Sequence, residues 1–172
     1  MPESRQPLPA PSAPPARRLP AVSMPAYRFV PGLQPHPHKG EGGHRHSPAL
    51  DPEALWLHGL DLFDHRYYWE CHEVLEGRWK ALPRGAPERE RLQGLIQLAA
   101  ACLQAHMGHD RGARRLLSRG ARRLASSGVA LGDDAPGDVH LPTLVGSVRV
   151  FLDGGPWPVA GPLSPRSPAS SR

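Results

Sequence analysis

Apolar residues between Leu55 and Leu152 recur three and four positions apart, and five helices follow from that period. Asp51 is a side-chain cap, Pro52 suits the first helical position and Glu53 the first turn. Behind them Leu55, Trp56, Leu60 and Phe63 repeat along one helix, and Asp64-His65-Arg66 reads as a corner. A second helix is predicted over 67–81, stopped before Pro83. A third starts after Gly85 with Pro87, Glu88 and Glu90 in its first turn and reaches about Met107. Gly108 ends it, Asp110 is expected to cap the fourth, and Gly128 closes that one. The fifth follows Pro142, with Leu144, Val145, Val148, Phe151 and Leu152 inward and Gly154 beyond its end. Residues 128–140 form a loop rich in Gly and Asp. Short connections favour antiparallel neighbours, so the fold class is all-α, a small antiparallel bundle of five helices.

The third helix is apolar nearly all round: Leu92, Leu95, Ile96, Leu98, the alanine run and Leu103 leave almost no polar face. Such a helix belongs in the middle of a bundle. Gln93, Gln97 and Gln104 interrupt it and project within about 40° of one another at 100° per residue, a single polar line on a buried element.

The second helix carries the densest candidate chemistry. Tyr67, Tyr68, Cys71, Val74 and Leu75 make its apolar face, with Trp79 and His72 at the edge, then Glu76, Trp69 and Glu73. His72 and Glu76 are four apart and therefore neighbours, and Glu73 precedes Glu76 by three. An imidazole and two carboxylates beside two tryptophans are costly to leave unpaired. Gln93 and Gln97 could supply amide donors, and Arg78, Lys80 or an arginine of helix four could neutralise a carboxylate. The expected pocket is lined by Trp69, His72, Glu73, Glu76, Trp79, Gln93 and Gln97, with His72 and Glu76 turned inward toward the glutamines.

Composition sets the ends apart. Twelve of the 22 prolines fall in residues 1–50 and only five in 51–155. Residues 1–23 are Pro/Ala-rich with almost no large apolar side chains, so a disordered tail is expected there, and Met24 is an alternative translation start. Residues 24–50 read as an extended His/Pro-rich arm packed on the core through Tyr27, Phe29, Val30 and Leu33. Residues 51–155 are the helical domain, and 156–172 a second disordered tail. No run approaches the ~20 apolar residues of a membrane span and no signal-peptide core is visible. Cys71 and Cys102 give no disulfide framework. A cytoplasmic protein without a membrane is therefore expected.

Net charge is +5, and the excess is concentrated. Arg111, Arg114, Arg115, Arg119, Arg122 and Arg123 share a stretch with no acid between 111 and 132, while Arg17 and Arg18 sit in the N-terminal tail. Such a surface attracts phosphate. The alternative is a solvated helix face, favoured here because no aromatic platform accompanies the arginines.

Residues 59–125 resemble the DUF309 family of helical proteins. The likeness rests on Gly59-Leu-Asp-Leu-Phe63, on Tyr68-Trp-Glu-Cys-His-Glu-Val-Leu-Glu76 with Trp79, on Leu92-Gln-Gly-Leu-Ile-Gln97, and on Gly108-His-Asp-Arg-Gly-Ala113 with Leu116 and Leu117. The stretch Tyr27-Arg-Phe-Val-Pro-Gly32 with Pro35-His-Pro37 and Gly43-His44 is similar to an N-terminal extension of some members. The resemblance implies a small all-α bundle and no particular activity.

Three functional readings stand. The leading one is a polar His/Glu/Gln pocket binding a small ligand or a protein partner. The second is a divalent-metal, hydrolase-like site with His72 and Glu76 as ligands, completed by His36, His38 or His44 of the arm, and with Glu73, or His72 itself, as the acid–base group. The third is polyanion or nucleic-acid binding through Arg115, Arg119 and Arg122. A second copy could cover apolar surface on so small a bundle, making a homodimer a candidate state. His58 and His65 are expected exposed, His106 at the edge of the core, and His46 and His140 in loops.

Overall fold

A computed structural model of the chain describes residues 6–36, 50–128, 137 and 139–161. Five helices run in order: α1 (Pro52–Asp64), α2 (Tyr68–Ala81), α3 (Pro87–His106), α4 (Asp110–Ala125) and α5 (Leu141–Leu152). The all-α reading is correct, and among the described residues there is no β-sheet. Asp51 caps α1 as expected, accepting the Ala54 N–H at 2.9 Å. Asp110 does not cap α4: it is the first helical residue, and His109 holds the cap position without a side-chain bond to the helix. The His109 ring instead meets the Gln104 amide oxygen at 2.7 Å.

The apolar helix is central. α3 packs against α2, α4 and α5, while α1 lies on α2 and α4 on α5. Trp56, Leu60, Phe63, Tyr68, Leu75, Leu95 and Leu98 are fully buried in the shared core. The α3–α4 crossing depends on two glycines. A Cβ on Gly120 would stand 3.1 Å from the Gly94 carbonyl oxygen, so the two backbones are nearly in contact. The α1–α2 corner turns through Arg66, whose φ of 64° is left-handed, and its guanidinium lies 4.5 Å above the Trp157 ring.

The described parts of both chain ends make contacts with the bundle. Residues 6–23, expected to lack order, lie as an extended strap along the bundle. Leu8 is buried, and the backbone N–H groups of Arg18 and Leu19 donate to the Asp61 carboxylate at 2.8 and 2.9 Å. The Arg18 guanidinium reaches Asp64 at 2.7 Å and Asp61 at 3.4 Å. Further along, Arg66 donates to the Pro9 carbonyl, and the rings of His65 and His106 meet the carbonyls of Pro15 and Gln6. At the other end, Trp157 stacks on Phe151 with centroids 4.5 Å apart, and the N–H of the buried Ala160 donates to Asp64. A Pro-rich chain has little backbone freedom to lose, so a few good contacts offset much of the cost of ordering it. Here those contacts are the positive charges that two buried aspartates require.

A side chain of α1 and its C-cap residue also depart from expectation. His58, expected exposed, is buried, and burial lowers its pKa below the ordinary imidazole value. His65 is half-buried rather than exposed. Both cysteines are buried, and burial pushes each thiol well above its usual pKa. Since the thiolate is the reactive form, an aromatic disulfide reagent is expected to titrate no thiol in the folded protein at pH 8 and two thiols per chain in guanidinium. Rapid modification of either cysteine without denaturant would contradict this burial.

Candidate functional site

The site is built on the outward edge of α2. Tyr68, Cys71 and Leu75 fix the rotation of the helix by filling the core. This leaves Trp69, His72, Glu73 and Glu76 along the rim, one turn apart. His72 Nδ1 lies 3.2 Å from Glu73 Oε1. One ligand atom from each of His72, Glu73 and Glu76 lies within 4.8 Å of the others. Glu76 also pairs with Lys80 at 3.0 Å, as the sequence allowed, while Arg78 pairs elsewhere, through two bonds to Glu88 of α3.

His72 and Glu76 were expected to turn inward onto Gln93 and Gln97; the polar contacts the structure gives them run to Glu73 and Lys80. The side chains of His72, Glu73 and Glu76 are 33%, 26% and 29% exposed, which places them at a water-facing rim. The glutamine line points to a different neighbour. Gln97 Cβ would lie 3.3 Å from a Cβ on Gly120, and Gln104 meets His109, so these glutamines face α4. The Gln97 amide oxygen is buried without a hydrogen-bond partner. Gln93 is half-buried on the same helix. Helical spacing puts the glutamines on one side of α3 but cannot say which neighbour occupies it. Trp79 is also not part of the rim cluster: it is half-buried under the Arg89 guanidinium, which lies 4.4 Å from its ring centre.

The arm reaches the same edge of α2. The Phe29 N–H donates to Glu70 Oε1 at 2.8 Å, and Gln34 folds back so that its amide oxygen accepts the Val30 N–H at 2.8 Å. Phe29, His36 and Trp69 then meet edge to face: 4.7 Å from Phe29 to Trp69, 5.1 Å from His36 to Trp69 and 5.3 Å from Phe29 to His36. An open cleft of about 640 Å³ lies among these rings, Pro31, Pro35 and Gln34. Trp69 belongs to both features, since Glu73 and His72 follow it by one turn. His36 meets Trp69 but is not among the residues whose ligand atoms converge, and His38, His44 and His46 lie outside the described residues.

Glu70 was missed by sequence reasoning. It is a nearly fully buried acid, although helical spacing places it about 100° or more around α2 from Tyr68, Cys71 and Leu75. Helical spacing carried no signal for it, because the arm and not the bundle core meets that side of α2; once buried, the carboxylate needs a donor, and the arm's backbone supplies one.

On α4 the arginines divide into two classes. Arg114 pairs with Asp153 at 2.8 Å and Arg123 with Glu90 at 2.8 Å. Arg111, Arg115, Arg119 and Arg122 are exposed, and among the described residues none has an acidic partner. No helix of the described residues is long and apolar enough to cross a membrane.

The profile of the family described as Domain of unknown function (DUF309) matches residues 56–116, from the first turn of α1 into α4. That span contains the whole rim of α2. No curated protein matches the chain.

Proposed function

We propose that the chain, which belongs to the DUF309 family through residues 56–116, holds a divalent metal ion on His72, Glu73 and Glu76. In this reading the ion faces a small ligand seated in the neighbouring cleft of Phe29, His36 and Trp69. The observation that carries it is the convergence of three ligand atoms within 4.8 Å on one helix edge. Two ligands of one ion, with bonds of about 2.0–2.2 Å, lie at most about 4.4 Å apart. Small side-chain rotations close that difference, and half-exposed side chains have the freedom to make them. The exposed Lys80 competes for Glu76, but a surface ion pair contributes about 1 kcal/mol or less.

One imidazole with two carboxylates suits zinc, manganese, iron or nickel better than a cage of oxygens alone would. Three protein ligands leave positions open to water or a bound molecule. A bound ion would polarise an oxygen of the ligand. The arm contributes shape: Phe29 and Trp69 offer apolar faces, and the His36 ring adds a polar edge. Two buried thiols with raised pKa values suit a reducing compartment, and we place the protein in the cytoplasm.

The test uses tag-free full-length protein, titrated with zinc and with manganese by calorimetry and checked by elemental analysis. The wild type is expected to take up one equivalent, and the His72→Ala/Glu76→Ala double variant to lose at least about a hundredfold in affinity, beyond what removal of an outer partner costs. A variant with His38, His44 and His46 replaced by Ala controls for loose binding by the His-rich segment. No uptake by the wild type, or equal uptake by the double variant, overturns the reading.

A further inference from the structure

The exposed arginines of α4 are a feature that the α2 site does not use. Arg111, Arg115, Arg119 and Arg122 follow one another by four, four and three residues. At 100° per residue they fall within about 80° of helix surface, and at 1.5 Å per residue they extend over about 16 Å. All four are exposed and without acidic partners among the described residues, in contrast to Arg114 and Arg123, which are neutralised by Asp153 and Glu90. Ser118 sits in the same row, and an open groove of about 390 Å³ runs along it. The opposite face of α4 is committed: Ala113, Leu117, Gly120 and Leu124 are buried.

We propose that this row is a docking surface for the phosphate backbone of duplex nucleic acid, bound without regard to sequence. One strand of a duplex carries a phosphate about every 3.4 Å along its axis, so a 16 Å row faces about five phosphates with four guanidiniums. Guanidinium groups pair with phosphate through two parallel hydrogen bonds, and Ser118 adds a neutral donor. Single strands are bound on aromatic platforms, and this face holds no aromatic ring. A membrane-surface helix inserts an apolar face, and the apolar face of α4 is turned into the core. Phosphate contacts fix position and carry no base information, so binding without sequence preference is expected.

Full-length protein and a fluorescent 20-base-pair DNA duplex are followed by anisotropy between 25 and 200 mM salt, with duplex RNA and anionic lipid vesicles in parallel arms. Four phosphate contacts predict a slope of log affinity against log salt of about −3.6. Each of Arg111→Gln, Arg115→Gln, Arg119→Gln and Arg122→Gln should reduce that slope by about 0.9. The triple variant of the last three should bind DNA with a slope near −0.9 while keeping its helical circular dichroism. Arg114→Gln and Arg123→Gln, whose charges are already met, should leave the slope near that of the wild type. Equal behaviour on RNA duplex is consistent with backbone docking. The proposal is overturned by absence of DNA binding at 25 mM salt, by a slope unchanged in the single variants, or by vesicles that bind while duplexes do not. None of these readouts involves His72 or Glu76, so this outcome is independent of metal uptake.

Discussion

Arg18→Ala is expected to lower the unfolding free energy by about 3 kcal/mol, the low end of the cost of leaving buried charge unpaired. Arg18 is only 13% exposed and lies between two carboxylates that are 1% exposed, Asp61 and Asp64. The backbone donors of Arg18, Leu19 and Ala160 remain in the variant, which is why the upper end of the range is not expected. For a chain of this size the loss corresponds to a fall in Tm of roughly 6–12 °C. The same reasoning applies to a chain started at Met24, which lacks Leu8, Arg17 and Arg18 together and should lose at least as much.

The pH dependence distinguishes charge from packing. Burial raises the Asp64 carboxyl pKa, with Arg18 acting in the opposite direction. A carboxyl raised in the folded state holds its proton there after the unfolded chain has released it. Its contribution is therefore full below the ordinary carboxyl pKa and is lost as pH rises through the folded value. Without Arg18 the folded value rises further, so the deficit of Arg18→Ala should be greatest at neutral pH and shrink toward pH 4. His58 has the opposite sign. Its lowered pKa leaves the folded state short of protons below about 6.5, so stability falls on acidification. That loss occurs in both proteins and cancels in their difference. A deficit constant from pH 4 to 8 in urea titrations would mean that Arg18 acts through its aliphatic stem.

Gly120→Val should cost about 3 kcal/mol, the upper end of the usual penalty for overfilling a packed site. A Cβ at 120 meets the Gly94 carbonyl oxygen and Leu98 Cδ2 at 3.1 Å and Gln97 Cβ at 3.3 Å. Two of these three are fixed to the α3 backbone and cannot swing away, and the γ-methyl groups of valine extend further into them. Gly94 is the reciprocal position, where a Cβ would fall 2.5 Å from the buried Leu124 side chain. Gly77 is the control. It is exposed on α2 with nothing within 4 Å of its Cβ position, so Gly77→Ala should stabilise by about 0.5–1 kcal/mol through helix propensity. Chemical denaturation of the three proteins measures all of this. Gly120→Val as stable as Gly77→Ala would show that α3 and α4 do not need their close approach.

The sequence by itself determined the elements. Asp51, Pro52, Pro87 and the positive-φ glycines at 108, 128 and 154 act locally, through caps and turns, and each helix began and ended within a few residues of where they placed it. The apolar circumference of α3 likewise required that it be central, because no other position hides all its faces. It also drew His72, Glu73 and Glu76 together, since residues one turn apart on a helix are neighbours whatever surrounds them. Tertiary structure alone decided what each face meets. The glutamines of α3 belong to α4 because Gly94 and Gly120 let those two helices touch, and the α2 cluster was left at the rim instead. The strap over Asp61 and Asp64, and the arm held by Glu70, are contacts between residues some forty positions apart. No periodicity encodes them. They arise because a carboxylate buried by the packing of α1 and α2 has to be met by whatever donor the rest of the chain can bring to it.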